Sequence, residues 1–193
     1  MLLKLTSLLG LAAFLALVGL FQPLLVEPRI NAVWAVDFMR DTLYSGRVFR
    51  TFNVIDEANR GCLGIDVAVS IPASRVVTFL TQLIELHGRP RAIRCDNGPE
   101  LTSQTFQDWC KQQDIELRFI QPGKPDQNAY IERFNRTYRE EVLSAYLFDS
   151  LEEVREISVE WLERYNEIRP HDALGNLPPA RYREQVLEVE TPV

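Results

Sequence analysis

The chain is predicted to be an α/β protein. Its mixed sheet is built in the order βββαβαβα, flanked by helices and followed by a C-terminal helical extension. Three observations predict this. Val33 to Met39 is a short apolar run rich in β-branched and aromatic residues, which reads as a buried strand, and two further runs follow it after short turns. From Pro72 the apolar residues switch to three- and four-residue spacing, the signature of a helix. Thereafter strand and helix patterns alternate. At 193 residues, 46% hydrophobic and 25% charged, the chain can bury one sizeable core with some length left over.

The elements follow in order. Ser45-Gly46-Arg47 is a turn leading to a second strand, Val48 to Ile55; Asn59-Arg60-Gly61 is another, leading to a third, Cys62 to Val69. Val76, Val77, Leu80, Leu83, Ile84 and His87 mark the apolar side of the first helix, opened near Pro72 and ended by Gly88 and Pro90. Arg91 to Cys95 is a fourth strand, closed by the turn Asp96-Asn97-Gly98-Pro99. A helix from about Ser103 to Gln113 precedes a fifth strand, Ile115 to Ile120. The loop Gln121 to Pro125 leads to a helix from about Asp126, which caps it, to Leu143. A last long helix covers about Leu151 to Tyr165, and Pro178-Pro179 opens a short final turn. Three organisational units are expected: an apolar leader over 1–30, a core over 31–145, and a C-terminal helical extension and tail over 146–193.

Bulk charge bears on partners. The net charge of −6 speaks mildly against nucleic acid, whose phosphates are bound by Lys and Arg, unless the arginines gather on one face. The three cysteines, Cys62, Cys95 and Cys110, have no CxxC spacing and no matching histidine cluster, so they read as reduced, buried thiols.

Three carboxylates stand out. Asp37 lies inside Val-Trp-Ala-Val-Asp-Phe-Met, where an unpaired ionised group would cost several kcal/mol, and the strand itself offers no cation. Alternation puts it on the face of Val33, Ala35 and Met39. Asp96 lies just past the fourth strand, where open α/β sheets tend to place ligands; capping of the Asn97-Gly98 turn is the alternative. Glu132 shares a polar helix face with Asn128, Asn135, Arg136 and Arg139, opposite Tyr130, Ile131, Phe134 and Tyr138, and an i,i+4 bridge to Arg136 is its alternative. Together the three carry a chemistry that none carries alone. Phosphodiester transfer needs its attacking and leaving oxygens stabilised at once, and two Mg²⁺ ions held by convergent carboxylates do this.

The motifs around these acids are Trp34-Ala35-Val36-Asp37-Phe38, Asp96-Asn97-Gly98-Pro99-Glu100 and Gln127-Asn128-Ala129-Tyr130-Ile131-Glu132-Arg133-Phe134-Asn135, with 35 residues between Asp96 and Glu132. They resemble the three blocks of the retroviral-integrase-like DDE transposases, most nearly the second-frame product of the insertion-sequence group numbered three. The likeness runs from about Asn31 to about Arg183, through the tail Arg164 to Gly175. It implies a ribonuclease-H-like fold and Asp37, Asp96 and Glu132 as catalytic metal ligands for Mg²⁺ or Mn²⁺, two ions. The implied reaction is nicking of DNA at element ends, then attack of the freed 3′-hydroxyl on a target phosphodiester. Glu100 and Asp56 have no matching catalytic role and are read as structural.

Arg94 and Asn97 beside Asp96, and Lys124, Asn128, Arg133, Arg136 and Arg139 around the glutamate helix, are the candidate DNA contacts. The resemblance also implies DNA partners, both element ends and target, and a homo-oligomer assembled on them. The family carries a helix-turn-helix region upstream of the core, whose place is taken here by the apolar leader, so another chain is expected to supply it. Residues 1–30 are read as a foreign leader; a genuine targeting or anchoring segment, with a membrane or exported form, is the alternative. The expected location is the cytoplasm, at the nucleoid. A truncated, catalytically idle remnant that only binds DNA or dimerises is the alternative to an active enzyme.

Overall fold

The computed structural model describes residue 27, residues 29–121 and residues 125–190. The apolar leader therefore lies almost wholly outside the described residues. Strands β1 (Val33–Thr42), β2 (Val48–Asp56) and β3 (Cys62–Ala68) form the expected antiparallel meander. Helix α1 (Ala73–His87) then crosses to β4 (Ala92–Cys95), and α2 (Gln104–Gln112) crosses to β5 (Glu116–Phe119). Both β4 and β5 run parallel to β1, giving one sheet in the order β3-β2-β1-β4-β5. Crossover helices are what parallel neighbours require, because no tight turn can join them.

The turns and caps are those the sequence signals. Gly46 takes a positive φ of 81° between β1 and β2, a conformation that glycine adopts without a Cβ penalty. Gly88, at φ 84°, ends α1 with its N–H on the Ile84 carbonyl at 2.9 Å. Ser103 caps α2 by accepting the Phe106 N–H.

The two faces of the sheet bury different sets. Trp34, Val36, Phe52 and Val54 pack with Val76, Leu80 and Leu83 of α1 and with Phe106 and Trp109 of α2. Ala35, Phe49, Ile55 and Val67 pack on the other side with Ile131, Phe134 and Tyr138, which lie on α3 (Ala129–Tyr138). The strict alternation along β1 sorts these side chains to opposite faces and sends Asp37 to the side of Ala35. Val154, Trp161 and Tyr165 of α4 (Leu151–Glu167) complete this second core, with Phe134 meeting Trp161 and Tyr165 at ring separations of 5.6 and 5.2 Å. The segment after residue 145 thus shares a core with β1–β3 and α3. Cys62, Cys95 and Cys110 are all buried and free.

Two elements differ from expectation. The single helix expected over 126–143 is a 3₁₀ turn (Pro125–Asn128), then α3, then a π-helical turn (Arg139–Leu143). A 3₁₀ start is common for an α-helix, and the wider π turn seats Val142 and Leu143 together in the core. The short turn expected after Pro178-Pro179 is a twelve-residue helix, α5 (Pro179–Glu190). Proline at a first helical position starts a helix, and the Arg, Glu, Gln and Leu that follow are good helix formers. Among the described residues no helix is long and apolar enough to cross a membrane.

Candidate active site

Asp37 sits in the middle of β1 on the face covered by α3. Its Oδ1 accepts the Phe38 N–H at 2.8 Å and its Oδ2 accepts Nδ2 of Asn135, on α3, at 2.7 Å. Among the described residues no Lys or Arg forms an ion pair with it. Burial pushes the Asp37 carboxyl up to about 6; Asp96 and Glu132 push it the same way, against the pull of the Phe38 N–H and the Asn135 amide. Both acids are therefore within electrostatic reach of Asp37.

The sheet register explains the nearness of Asp96. β1 and β4 pair in parallel with Ala35 opposite Arg94; Asp37 lies two residues further along β1, and Asp96 two residues further along the chain, just past the end of β4. Neighbouring strands are about 4.8 Å apart, so the two acids stand at the same level of the sheet. Asp96 Oδ1 also accepts the Gly98 N–H at 3.0 Å. The turn-capping role is thus present, and it occupies one carboxyl oxygen.

Glu132 is exposed on α3, three residues before Asn135. Residues three apart on a helix have Cβ atoms about 5–6 Å apart. The helix that touches Asp37 through Asn135 therefore carries Glu132 one turn away. No ion pair joins Glu132 to Arg136 among the described residues, so the surface-bridge alternative is not realised.

As they stand, no three His, Cys, Asp or Glu side chains among the described residues are drawn tightly enough to hold a metal ion. The chemistry of the donor set fits one nonetheless. Asp37, Asp96 and Glu132 are hard oxygen donors, the kind Mg²⁺ takes. The first is a half-buried carboxyl raised by desolvation and further by its acidic neighbours, and the last is an exposed side chain free to change rotamer.

The candidate DNA contacts separate into groups. Arg133 and Arg136 are exposed on the helix of Glu132, and Asn97 is exposed beside Asp96, with its Nδ2 on the Ile120 carbonyl at 3.0 Å. Arg94 is instead turned inward. Its guanidinium, 13% exposed, grips the Glu57 carboxylate, 1% exposed, at 2.6 Å, because a buried acid needs a cationic partner. Asn128 is also buried, at 3% exposure, so it does not belong to the polar helix face on which it was expected. Arg139 is held by Asp41 and by the Arg40 carbonyl. Lys124 and the Asp126 side chain lie outside the described residues. Glu100 pairs with Arg50, which also stacks on Phe38, and Asp56 accepts the Asn31 and Ala58 N–H groups, both structural roles.

Sequence reasoning missed Asn53 and the part played by Asn135. Asn53 on β2 lies directly across from Asp37 and is fully buried. Its Nδ2 donates to Asn135 Oδ1 at 2.7 Å. The available signal was a neutral amide inside the apolar run Phe52-Asn53-Val54.

A mixed sheet of this order, covered by helices on both faces, with acids in the middle of β1, just past β4 and on the helix after β5, defines a ribonuclease-H-like α/β protein. More particularly, the chain belongs to the integrase core domain family, whose descriptions match residues 27–125 and 113–179. It is 42% identical over 165 residues to an uncharacterized protein of insertion element IS476 from Xanthomonas euvesicatoria, covering 86% of this chain and 48% of that one. It is 38% identical to an uncharacterized protein of insertion element IS407 from Burkholderia multivorans, covering 79% and 55%. The chain thus spans about half the length of these relatives. Among solved structures, the HTLV-2 integrase catalytic core domain in complex with magnesium shares the fold with a TM-score of 0.64 at 20% identity, over 82% of this chain and 97% of that one. The catalytic core domain of BIV integrase does so with a TM-score of 0.62 at 20% identity, over 83% and 99%.

Proposed function

We propose that this chain is the catalytic part of a transposase-type DNA strand transferase, with Asp37, Asp96 and Glu132 as its metal-binding acids. The observation that carries the reading is the meeting of charges at Asp37: a half-buried carboxyl with two acidic neighbours and no ion-pair partner among the described residues. A site of that kind is relieved by a divalent cation. Bound there, Mg²⁺ or Mn²⁺, as two ions, would stabilise the attacking and leaving oxygens of a phosphodiester exchange.

The chain's own residues supply placement. Phe38 N–H and Asn135 fix the Asp37 carboxylate, the Gly98 N–H fixes that of Asp96, and Glu132 approaches from the helix side. Arg133 and Arg136 on α3 and Asn97 beside Asp96 are exposed and bind phosphates in this reading, as does Lys124. One strand of DNA is hydrolysed at an element end, and the freed 3′-hydroxyl then displaces a 3′-oxygen from a target phosphate. In this reading the enzyme works on DNA at the nucleoid as a homo-oligomer. The HTLV-2 integrase core has itself been solved as trimeric and dimeric forms, which supports assembly in the family.

The test uses the full chain and a branched DNA in which a 3′-hydroxyl abuts a phosphodiester, with Mn²⁺. Strand joining is expected from the natural chain, and Asp96→Asn is expected to lower it at least about hundredfold by removing a metal ligand. Equal activity of the two proteins, or equal inertness, refutes the proposal.

A further inference from the structure

We infer that Asn135 is a positioning residue for the acidic site, and that Asn53 sets the orientation of its amide. The inference rests on the reading of Asp37 as a metal ligand.

Three side chains form a line across two strands and a helix. Asn53 Nδ2 donates to Asn135 Oδ1 at 2.7 Å, and Asn135 Nδ2 donates to Asp37 Oδ2 at 2.7 Å. The polarity of this line follows from its end. An ionised carboxylate only accepts, so Asn135 must offer it the NH₂ group, and its own oxygen must then face Asn53, which must in turn donate. Reversal of either amide would set oxygen against oxygen or NH₂ against NH₂. Asn53 is 0% exposed and Asn135 8% exposed, so water has little access to repair such a reversal.

Two features mark this line as more than core packing. Asn53 leaves its Oδ1 buried without a hydrogen-bond partner, a destabilising arrangement that an apolar pair across the strands would avoid. Asn135 also lies three residues after Glu132 on α3, so its bond to Asp37 fastens the helix of one acid to the strand of another. The amide line therefore holds the Asp37 carboxylate in one rotation and keeps the Asp37–Glu132 spacing fixed. Groups behind metal ligands commonly account for 10–100-fold in metal affinity.

The experiment titrates the full chain with Mn²⁺ alone, reading free Mn²⁺ by electron paramagnetic resonance, with circular dichroism as the check on folding. Asn135→Ala is expected to weaken Mn²⁺ binding about tenfold or more. Asn53→Ala, which removes a side chain that makes no hydrogen bond to Asp37, is expected to weaken it in the same direction. The double variant is expected to bind no more weakly than Asn135→Ala, because the two act through one path. Losses that add, or an Asn53→Ala protein that binds like the natural chain, overturn the inference. Asn135→Ser carries the same expectation if Asn135→Ala does not fold. Asp37→Asn in the same titration separates the two readings. If it leaves Mn²⁺ binding intact, the metal-ligand reading fails; if it abolishes binding while the Asn135 variants bind normally, only the positioning role fails.

Discussion

Replacing Asp37 with asparagine should make the metal-free protein more stable at neutral pH. The Asp37 carboxyl is raised from 3.8 to about 6, chiefly by burial and further by Asp96 and Glu132. At about 1.36 kcal/mol for each pH unit, the ionised form destabilises the fold by about 3 kcal/mol. An asparagine carries no charge, but its single oxygen can accept only one of the two donors now on Asp37, a loss of about 1 kcal/mol. The net gain is about 2 kcal/mol, or about 4–8 °C in Tm for a domain of this size. Its pH dependence has a definite sign. A carboxyl raised in the folded state is protonated in both states below about 4 and ionised in both above about 6. The wild-type penalty therefore grows as pH rises through that window, and the advantage of Asp37→Asn should be full at pH 8 and gone at pH 4. Thermal unfolding in EDTA at the two pH values measures this. Added Mg²⁺ should reverse the order at pH 8 by stabilising only the natural chain through binding. A variant no more stable than wild type at pH 8, or equally favoured at pH 4, refutes the reasoning.

Other residues give further expectations. Arg94→Ala strands the buried Glu57 carboxylate and should cost about 3–5 kcal/mol in urea unfolding; because Arg94 is turned inward, it should leave the salt dependence of DNA binding unchanged. A loss below about 1 kcal/mol, or a shallower salt slope, would return Arg94 to the DNA contacts. At Gly64 on β3 an added Cβ would lie 2.8 Å from Phe79 Cζ and 3.1 Å from Leu83 Cδ2, where α1 meets the sheet. Gly64→Ala should lower stability by about 1–3 kcal/mol in calorimetry, and an unchanged Tm would mean that α1 yields freely.

Periodicity exposed the sheet and its crossovers because each strand and helix advertises itself locally. The acids at 37, 96 and 132 were legible for a related reason: a charge within an apolar strand, an Asp in a turn after a strand, and a glutamate on an amphipathic helix are all local departures. What the sequence hid is pairing across distance. Arg94 precedes Asp96 and looks like part of its rim, yet Glu57, 37 residues earlier, draws it inward. Asn128 sits at a helical step from Glu132 on paper, but the 3₁₀ turn before α3 breaks that phase and buries it. Asn53 is neutral, and a neutral amide in a strand raises no alarm until the register sets it opposite Asp37.

The widened turn at Arg139–Leu143 has a consequence for how this part of the molecule tolerates change. A π turn is an α-helical turn holding one surplus residue. Loss of a single residue there would restore ordinary winding and still leave the turn complete, so the chain running on toward α4 would depart in nearly the same direction. The change would be taken up within the turn itself, with Asn135 upstream and already bonded to the sheet. A change of one residue in length can therefore be absorbed in this slack coil while the distances among the acids stay as they are.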